Sequence, residues 1–388
     1  MRVLVAFDKF KDSLSASEAC ELAASAIREG HPDWQLDLCP LADGGEGFAD
    51  ILTRSAGGRT HITQVAGPRG GLVKAAIGLV SANRVPAAAR VRLQLDGGPA
   101  DARPIAIVEM ASASGLALLA PDLRDPWQTT SLGTGQLICA AAESGAGLVI
   151  LGVGGSATHD LGLGALNALG LDFFAADGRR LQPPVPALWP DLVRIAGRVT
   201  PSIPPIRIAC DVDNPLLGAR GAAAVFGPQK GLADADYDRL EGESSRIARL
   251  LCEHCGRDGD LASTAGAGAA GGTSFGLMAA AGARLLPGSA LVADWLDLEA
   301  RLAAADIVLT GEGSFDESSR GGKGPGALVE RARVLGKPAH VFAGRIAAPD
   351  TGPAVTLHAI TAAGVPLPKA LRQAGTNLSA SVRAAFAG

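Results

Sequence analysis

Carboxylates, glycines and small polar residues follow almost every apolar run of this chain of 388 residues. Asp8, Lys9 and Lys11 come after "RVLVAF", and Asp43 and Glu46 lie in "ADGGEG". Glu109 closes "PIAIVEM", and Gly154, Gly155, Ser156, Thr158, His159 and Asp160 follow "GLVILGV". Asp211, Asp213 and Asn214 follow "IRIAC", Gly311, Glu312, Gly313 and Asp316 follow "DIVLT", and Arg345 follows "AHVFAG". A single aspartate after a strand usually caps a helix or builds an Asx-turn. Many of them, interleaved with glycine loops, suit divalent cations and phosphates held together.

The spacing sharpens some of these. Asp211 and Asp213 are two apart, so an extended chain would turn both to one side, where they repel unless a cation or donor lies between them. "LVILGVGGSATHD" runs four apolar residues into a glycine turn, the form of a strand ending beside an anion. The glycine clusters at 44–47, 152–155, 266–272 and 321–326 read as loops that let backbone approach a ligand. "GVGGSA" (152–157) and "GAGAAG" (266–271) also match dinucleotide fingerprints, with Asp177 downstream of the first, so a nicotinamide-dependent oxidoreductase is the alternative reading. A non-catalytic sensor of an anionic metabolite is a third. No Walker A lysine pattern occurs, which excludes an ordinary P-loop kinase. His159, near a helix start, reads as a polar surface residue. "CEHC" (252–255) has no second cysteine pair to complete a zinc site and reads as the end of a helix.

The elements that must position these residues alternate between strand and helix. Strands are expected at 2–7, 35–41, 104–110, 147–153, 206–212, 306–311, 339–344 and 356–361. Several are almost wholly apolar, as strands of a parallel sheet covered on both faces must be. Ser15 and Glu18 form a capping box, and Ala19, Leu22, Ala23, Ala26 and Ile27 give the first helix its apolar face. Within 59–110, "THITQV", "LVKAAIGLV" and "RVRLQL" read as an antiparallel meander. The expected fold is α/β: a parallel-sheet domain of residues 1–58 plus 288–388, with a second α/β domain, 59–287, inserted into it and an active-site cleft between them.

Net charge is −4, aromatic residues make up 4%, and no basic run appears, which argues against a nucleic-acid partner. No apolar stretch is long enough for a membrane span, and the N-terminal apolar run is too short for a signal peptide, so no membrane partner and a cytoplasmic location are expected.

Taken together, "DKFKDSLSA" (8–16), "ADGGEG" (42–47), "ASGLALL" (113–119), "TTSLGTGQLI" (129–138), "GGSATHDLGLGAL" (154–166), "ACDVDNPLLGARGAAAVFGPQKG" (209–231), "AGAGAAGG" (265–272) and "TGEGSFDESSRGGKGP" (310–325) resemble the bacterial type I glycerate kinase family, from near residue 1 to near the end. The resemblance implies transfer of the ATP γ-phosphate to D-glycerate with Mg²⁺, giving 2-phosphoglycerate, in two α/β domains, the parallel-sheet one Rossmann-like, and a fold unrelated to P-loop or protein kinases. Homo-oligomer formation stays open. The family commonly has Pro-Asp-Ser-Phe-Lys-Gly-Ser where this chain has "FDKFKDS", and Asn-Asp-Gly-Gly where it has "HDLG" (159–162).

Within that reading, Asp43, Asp211, Asp213 and Lys11 are the expected catalytic residues. Asp43, Glu312 and Asp316 are expected to contact Mg²⁺ directly or through water. Asp8, Gly154, Gly155, Ser156, Thr158, Lys230, Lys323 and Arg345 are expected to hold substrate or phosphate. Which carboxylate serves as base and which as metal ligand stays open.

Overall fold

The computed structural model describes residues 1–95, 102–317, 319, 324–347 and 354–387. The chain begins with β1 (Arg2–Phe7), α1 (Ala16–Gly30) and β2 (Gln35–Leu38). It continues through α2 (Phe48–Ser55), β3 (Arg59–Ala66), β4 (Leu72–Ser81), α3 (Ala87–Leu93), β5 (Pro104–Glu109), α4 (Ala111–Ser114), α5 (Leu132–Glu143) and β6 (Leu148–Gly152). Then come α6 (Leu163–Ala168), β7 (Leu171–Ala175), β8 (Leu192–Gly197), β9 (Ile206–Ala209), α7 (Ala222–Phe226), α8 (Tyr237–Cys255), α9 (Thr273–Ala281), β10 (Arg284–Leu286) and α10 (Gly288–Trp295). The last stretch holds α11 (Leu298–Ala304), β11 (Ile307–Phe315), α12 (Gly324–Val334), β12 (Ala339–Ile346), β13 (Val355–Ala359) and α13 (Leu367–Ala385).

These elements form two compact units, Met1–Asp43 with Val292–Gly388, and Gly44–Leu291. The division falls at 43/44 and 291/292, against the expected 58/59 and 287/288. In the first unit the sheet order is β13-β12-β11-β1-β2, and every pairing is parallel. Val3 to Phe7 are all buried, as a central strand covered on both faces requires. Val3, Val5 and Phe7 pack with Ala19, Ala23 and Ile27 of α1 and Leu378 and Val382 of α13. The α1 start is the expected capping box: Glu18 N–H donates to Ser15 Oγ at 3.2 Å, and Ser15 N–H donates to the Glu18 carboxylate at 2.8 Å.

The second unit carries a six-stranded sheet ordered β10-β9-β6-β5-β4-β3. Its β10, β9, β6 and β5 are parallel, while β4 and β3 are antiparallel additions. A separate antiparallel pair, β7 with β8, lies in the same unit. Leu151, Val149, Leu137, Phe173, Trp189, Leu251 and Phe275 belong to one continuous apolar core.

Two local expectations change. "RVRLQL" is not a strand: it ends α3, whose Ala89 and Leu93 are both fully buried one helical turn apart after a Pro86 N-cap. Three alanines after a proline favour the helix, and the apparent alternation of Val91 and Leu93 with arginines is also the pattern of a short helix. β11 does not stop at Gly311 but runs on to Phe315, which carries Glu312 inside the strand.

Candidate functional site

In the first unit, the adjacency of β11, β1 and β2 gathers the carboxylates. Asp8 leaves β1 with its N–H bonded to Gly311 O on β11 at 3.0 Å. On the other side, Leu41 N–H reaches Phe7 O at 2.8 Å, so the chain entering Asp43 still runs beside β1. Burial is the main cause that pushes the Asp8 carboxyl up to about 6; neighbouring Asp43 adds to this, and Lys9 opposes it. Burial likewise pushes Glu312 up to about 7, against a hydrogen bond from Ser319, with Asp8, Asp316 and Asp43 reinforcing the rise. Glu312 Oε1 is buried and meets no hydrogen-bond donor. Lys9 Nζ lies 3.9 Å from Asp43 Oδ1, and Lys9 N–H donates to Asp8 Oδ1 at 2.7 Å. Asp316 closes a turn with Ser319, its N–H donating to Ser319 Oγ at 3.2 Å.

Lys11 is exposed, with its backbone against Gly313: a Cβ on Gly313 would lie 3.3 Å from Lys11 N. Arg345 is exposed on β12, opposite Ser314 of β11. Lys323 lies outside the described residues. Lys9 is the cation that sequence reasoning left out of the site. Its position next to Asp8 in a strand-end loop was the available signal.

In the second unit, the loop after β6 is built from the inside. The Lys230 ammonium, only 2% exposed, donates to Ser156 Oγ at 2.9 Å and to Thr158 O at 2.7 Å. Burial lowers its pKa to about 7, with Asp160 opposing the fall. Lys230 therefore braces the loop from below and does not present its ammonium at a surface, as the sequence suggested it would. Ala157 N–H bonds Ser114 O at 2.9 Å and Leu116 N–H bonds Gly155 O at 2.8 Å, which fixes the turn from a second side. Gly155 itself is exposed, with φ of 71°, the left-handed conformation that suits glycine. Thr158 is fully buried and its Oγ1 has no partner, so of this residue it is the carbonyl that works in the loop.

The α6 start does not offer its donors to a ligand. Asp160, fully buried, accepts from Gly162 N–H at 3.1 Å, Gly164 N–H at 3.2 Å, Ser131 N–H at 2.7 Å and Ser131 Oγ at 2.8 Å. Burial raises its pKa, and those four donors pull the other way. The anion at this helix start is the chain's own carboxylate. His159 is not a surface residue either: it is 1% exposed, its Nε2 lies 3.1 Å from Ser244 Oγ on α8, and burial, with Lys230 nearby, lowers its pKa to about 3.

Other strand-end acids also serve helices. Glu109 accepts from Gly47 and Ala49 N–H at 3.1 and 3.2 Å, capping α2. Asp211 accepts from Ser289 N–H at 2.7 Å and Ser289 Oγ at 3.0 Å at the start of α10. Asp213, 75% exposed, pairs with Arg220 at 2.8 Å.

The glycine clusters are explained largely by packing. A Cβ on Gly271 would come within 2.0 Å of Thr158 O, one on Gly268 within 2.2 Å of Pro215 O, and one on Gly154 within 2.6 Å of Gly45 Cα. These loops approach one another, and Gly155 is the position of the turn that faces outward.

The family model described as "Glycerate kinase family" matches residues 3–387. The chain belongs to that family. It is 37% identical over 352 residues to the glycerate 2-kinase of Escherichia coli strain K12, covering 89% of this chain and 86% of that one. It is 35% identical over 393 residues to the glycerate kinase of Bacillus subtilis strain 168, covering 99% and 96% of the two chains. It also resembles the crystal structure of a protein assigned as glycerate kinase 2 from Salmonella typhimurium LT2, with a TM-score of 0.76 and 37% identity, covering 100% of this chain and 97% of that one.

The dinucleotide fingerprint after β6 lacks the context it needs. Asp177 sits in the turn after β7, where its carboxylate accepts from Arg179 N–H at 2.8 Å, and β7 pairs with β8 outside the parallel sheet. Cys252 and Cys255 lie in the last turn of α8, as expected. Among the described residues no three His, Cys, Asp or Glu side chains form a ready metal cage, so Asp43, Glu312 and Asp316 are not a preformed three-carboxylate site. Among the same residues no helix is long and apolar enough to cross a membrane.

Proposed function

We propose that this chain transfers the γ-phosphoryl group of ATP to the 2-hydroxyl of D-glycerate, releasing ADP and 2-phosphoglycerate. The observation that carries this is the family match over residues 3–387. The first unit supplies a fitting set of groups. Mg²⁺ typically uses one or two carboxylates, several waters and the phosphates themselves, so it needs no protein cage. A buried Glu312 oxygen without a donor, ringed by the like charges of Asp8, Asp43 and Asp316, fits such an ion. Asp43, Glu312 and Asp316 would hold it, in part through water, and the ion would neutralise charge on the β- and γ-phosphates.

Asp8 is the group we assign to the substrate hydroxyl. Half-buried at the end of β1 and raised to about 6, it accepts the proton as the hydroxyl oxygen bonds to phosphorus and the bond to the β,γ-bridging oxygen breaks. Lys11 and Arg345, both exposed in the first unit, are the side chains proposed to meet substrate anions. In the second unit the Gly154–Gly155–Ser156 turn, braced by Lys230, is proposed as an anion-binding nest. Asp211, which accepts from Ser289, and Asp213, which pairs with Arg220, are given no catalytic role in this proposal.

Mixing the protein with Mg-ATP and following ADP release with and without D-glycerate tests the reading. Release that depends on D-glycerate is expected. Release that ignores it, or none, contradicts it.

A further inference from the structure

Lys9 has a place in the first unit that the reaction as described does not use. Its backbone is fixed: the N–H donates to Asp8 Oδ1 at 2.7 Å, and the chain then closes a tight turn in which Leu14 N–H bonds Phe10 O at 3.0 Å. Its side chain is held far less firmly. Nζ sits 3.9 Å from Asp43 Oδ1, beyond hydrogen-bond range, with 26% of the Lys9 side chain and 46% of the Asp43 side chain exposed. An ammonium has three donors and a flexible four-carbon stem, so a loose ion pair of this kind leaves it able to swing while its backbone stays put. Asp8, Asp316 and Asp43 add, after burial, to the rise of the Glu312 carboxyl, so the acids of this unit sense one another's charge.

We propose that Lys9 is the resident counter-ion of Asp43, that a divalent cation arriving with ATP displaces it from that carboxylate, and that the freed ammonium binds the phosphoryl group in transfer. This rests on the assignment of Asp43, Glu312 and Asp316 to the metal. A divalent cation on the Asp43 carboxylate and the Lys9 ammonium beside it repel one another, so each weakens the other's hold there. Once released, the point charge of Lys9 is tethered next to Asp8 through its own N–H. Charge accumulating on the equatorial oxygens of the transferring group is what such a cation stabilises.

The test uses the full-length protein without nucleotide and Mn²⁺ as the probe, with free Mn²⁺ read by electron paramagnetic resonance. Lys9→Ser should bind Mn²⁺ roughly fivefold more tightly than wild type, the factor for losing one unit-charge interaction at about 4 Å in a water-like medium. Lys9→Arg should keep the wild-type affinity. In steady state, Lys9→Ser should lose at least ~10-fold in kcat with little change in the KM for D-glycerate, the signature of an interaction made in the transition state. Unchanged Mn²⁺ affinity in Lys9→Ser overturns the displacement, and tighter Mn²⁺ with normal kcat overturns the phosphoryl role. Asp43→Asn separates the two readings. If it loses Mn²⁺ while Lys9→Ser binds like wild type, the metal assignment stands and the Lys9 proposal fails. If wild type binds no Mn²⁺, both fail together.

Discussion

Glu312 ends the buried part of β11 with one carboxylate oxygen that no donor reaches, among three other acids. Its pKa in the folded chain, about 7, lies above the ordinary 4.5. Between those values the folded state binds more protons than the unfolded one, so this group's contribution to stability is present below about 4.5 and is lost as pH rises towards 7. At pH 8 without divalent cation, Glu312→Gln should therefore melt at a higher temperature than wild type, and the gap should close at pH 4. Its kcat should fall by ~10²-fold or more if the carboxylate positions the metal. Calorimetry at the two pH values, beside a rate assay, checks both; a variant that melts lower at pH 8 contradicts the role. Asp211 behaves in the opposite sense. It caps α10 through Ser289, so Asp211→Ala should cost about 0.5–2 kcal/mol of stability and leave kcat intact. Asp213→Asn, an exposed pair with Arg220, should cost less than about 1 kcal/mol. Urea unfolding together with kcat for each variant decides between a cap and a catalyst.

At the scale of elements, apolar runs were legible because a strand covered on both faces leaves no polar position. β1 matches its expected span of 2–7 residue for residue, and β5, β6 and β12 lie within two residues of theirs. α3 was not legible as a helix, because six residues of alternating arginine and aliphatic side chains fit both periods. β7, β8 and β10 escaped notice, and β10 has only three residues in which to show a pattern. Part of the glycine pattern has another origin: a sequence does not say whether the backbone that comes close belongs to a ligand or to the chain. Gly271 makes the point. With φ of 62° and Thr158 O at 2.0 Å from its would-be Cβ, it serves the packing of two loops. Gly271→Ala should destabilise the protein by about 1–3 kcal/mol. Thermal melts of this variant check it; a melt unchanged from wild type, with loss of substrate binding, would return Gly271 to the ligand.

Across the whole molecule, the sequence reading already set Asp43, Glu312 and Asp316 together as expected Mg²⁺ contacts, but the strand pairing that brings Asp8 beside Glu312 was not legible. Asp8 and Glu312 are neighbours because β11 pairs with β1 in parallel, Phe7 beside Gly311, across a stretch of chain that holds an entire second unit. Strand order in a parallel sheet is set by crossover packing, which leaves no mark on either strand's own residues. Asp211 and Asp213, expected to act with Asp43, belong to the second unit, where Ser289 and Arg220 are among their partners. Lys230 was expected to hold substrate or phosphate, and in the fold its buried ammonium donates to Ser156 Oγ and Thr158 O. The central claim is that the carboxylates of the first unit carry phosphoryl transfer to D-glycerate, with Asp8 taking the hydroxyl proton. Phosphorus NMR of wild type and Asp8→Asn, each supplied with Mg-ATP and D-glycerate, tests it most directly. The account predicts 2-phosphoglycerate and ADP accumulating with wild type, and the same signals growing at least ~10²-fold more slowly with a folded Asp8→Asn. Equal initial rates in the two samples would contradict it.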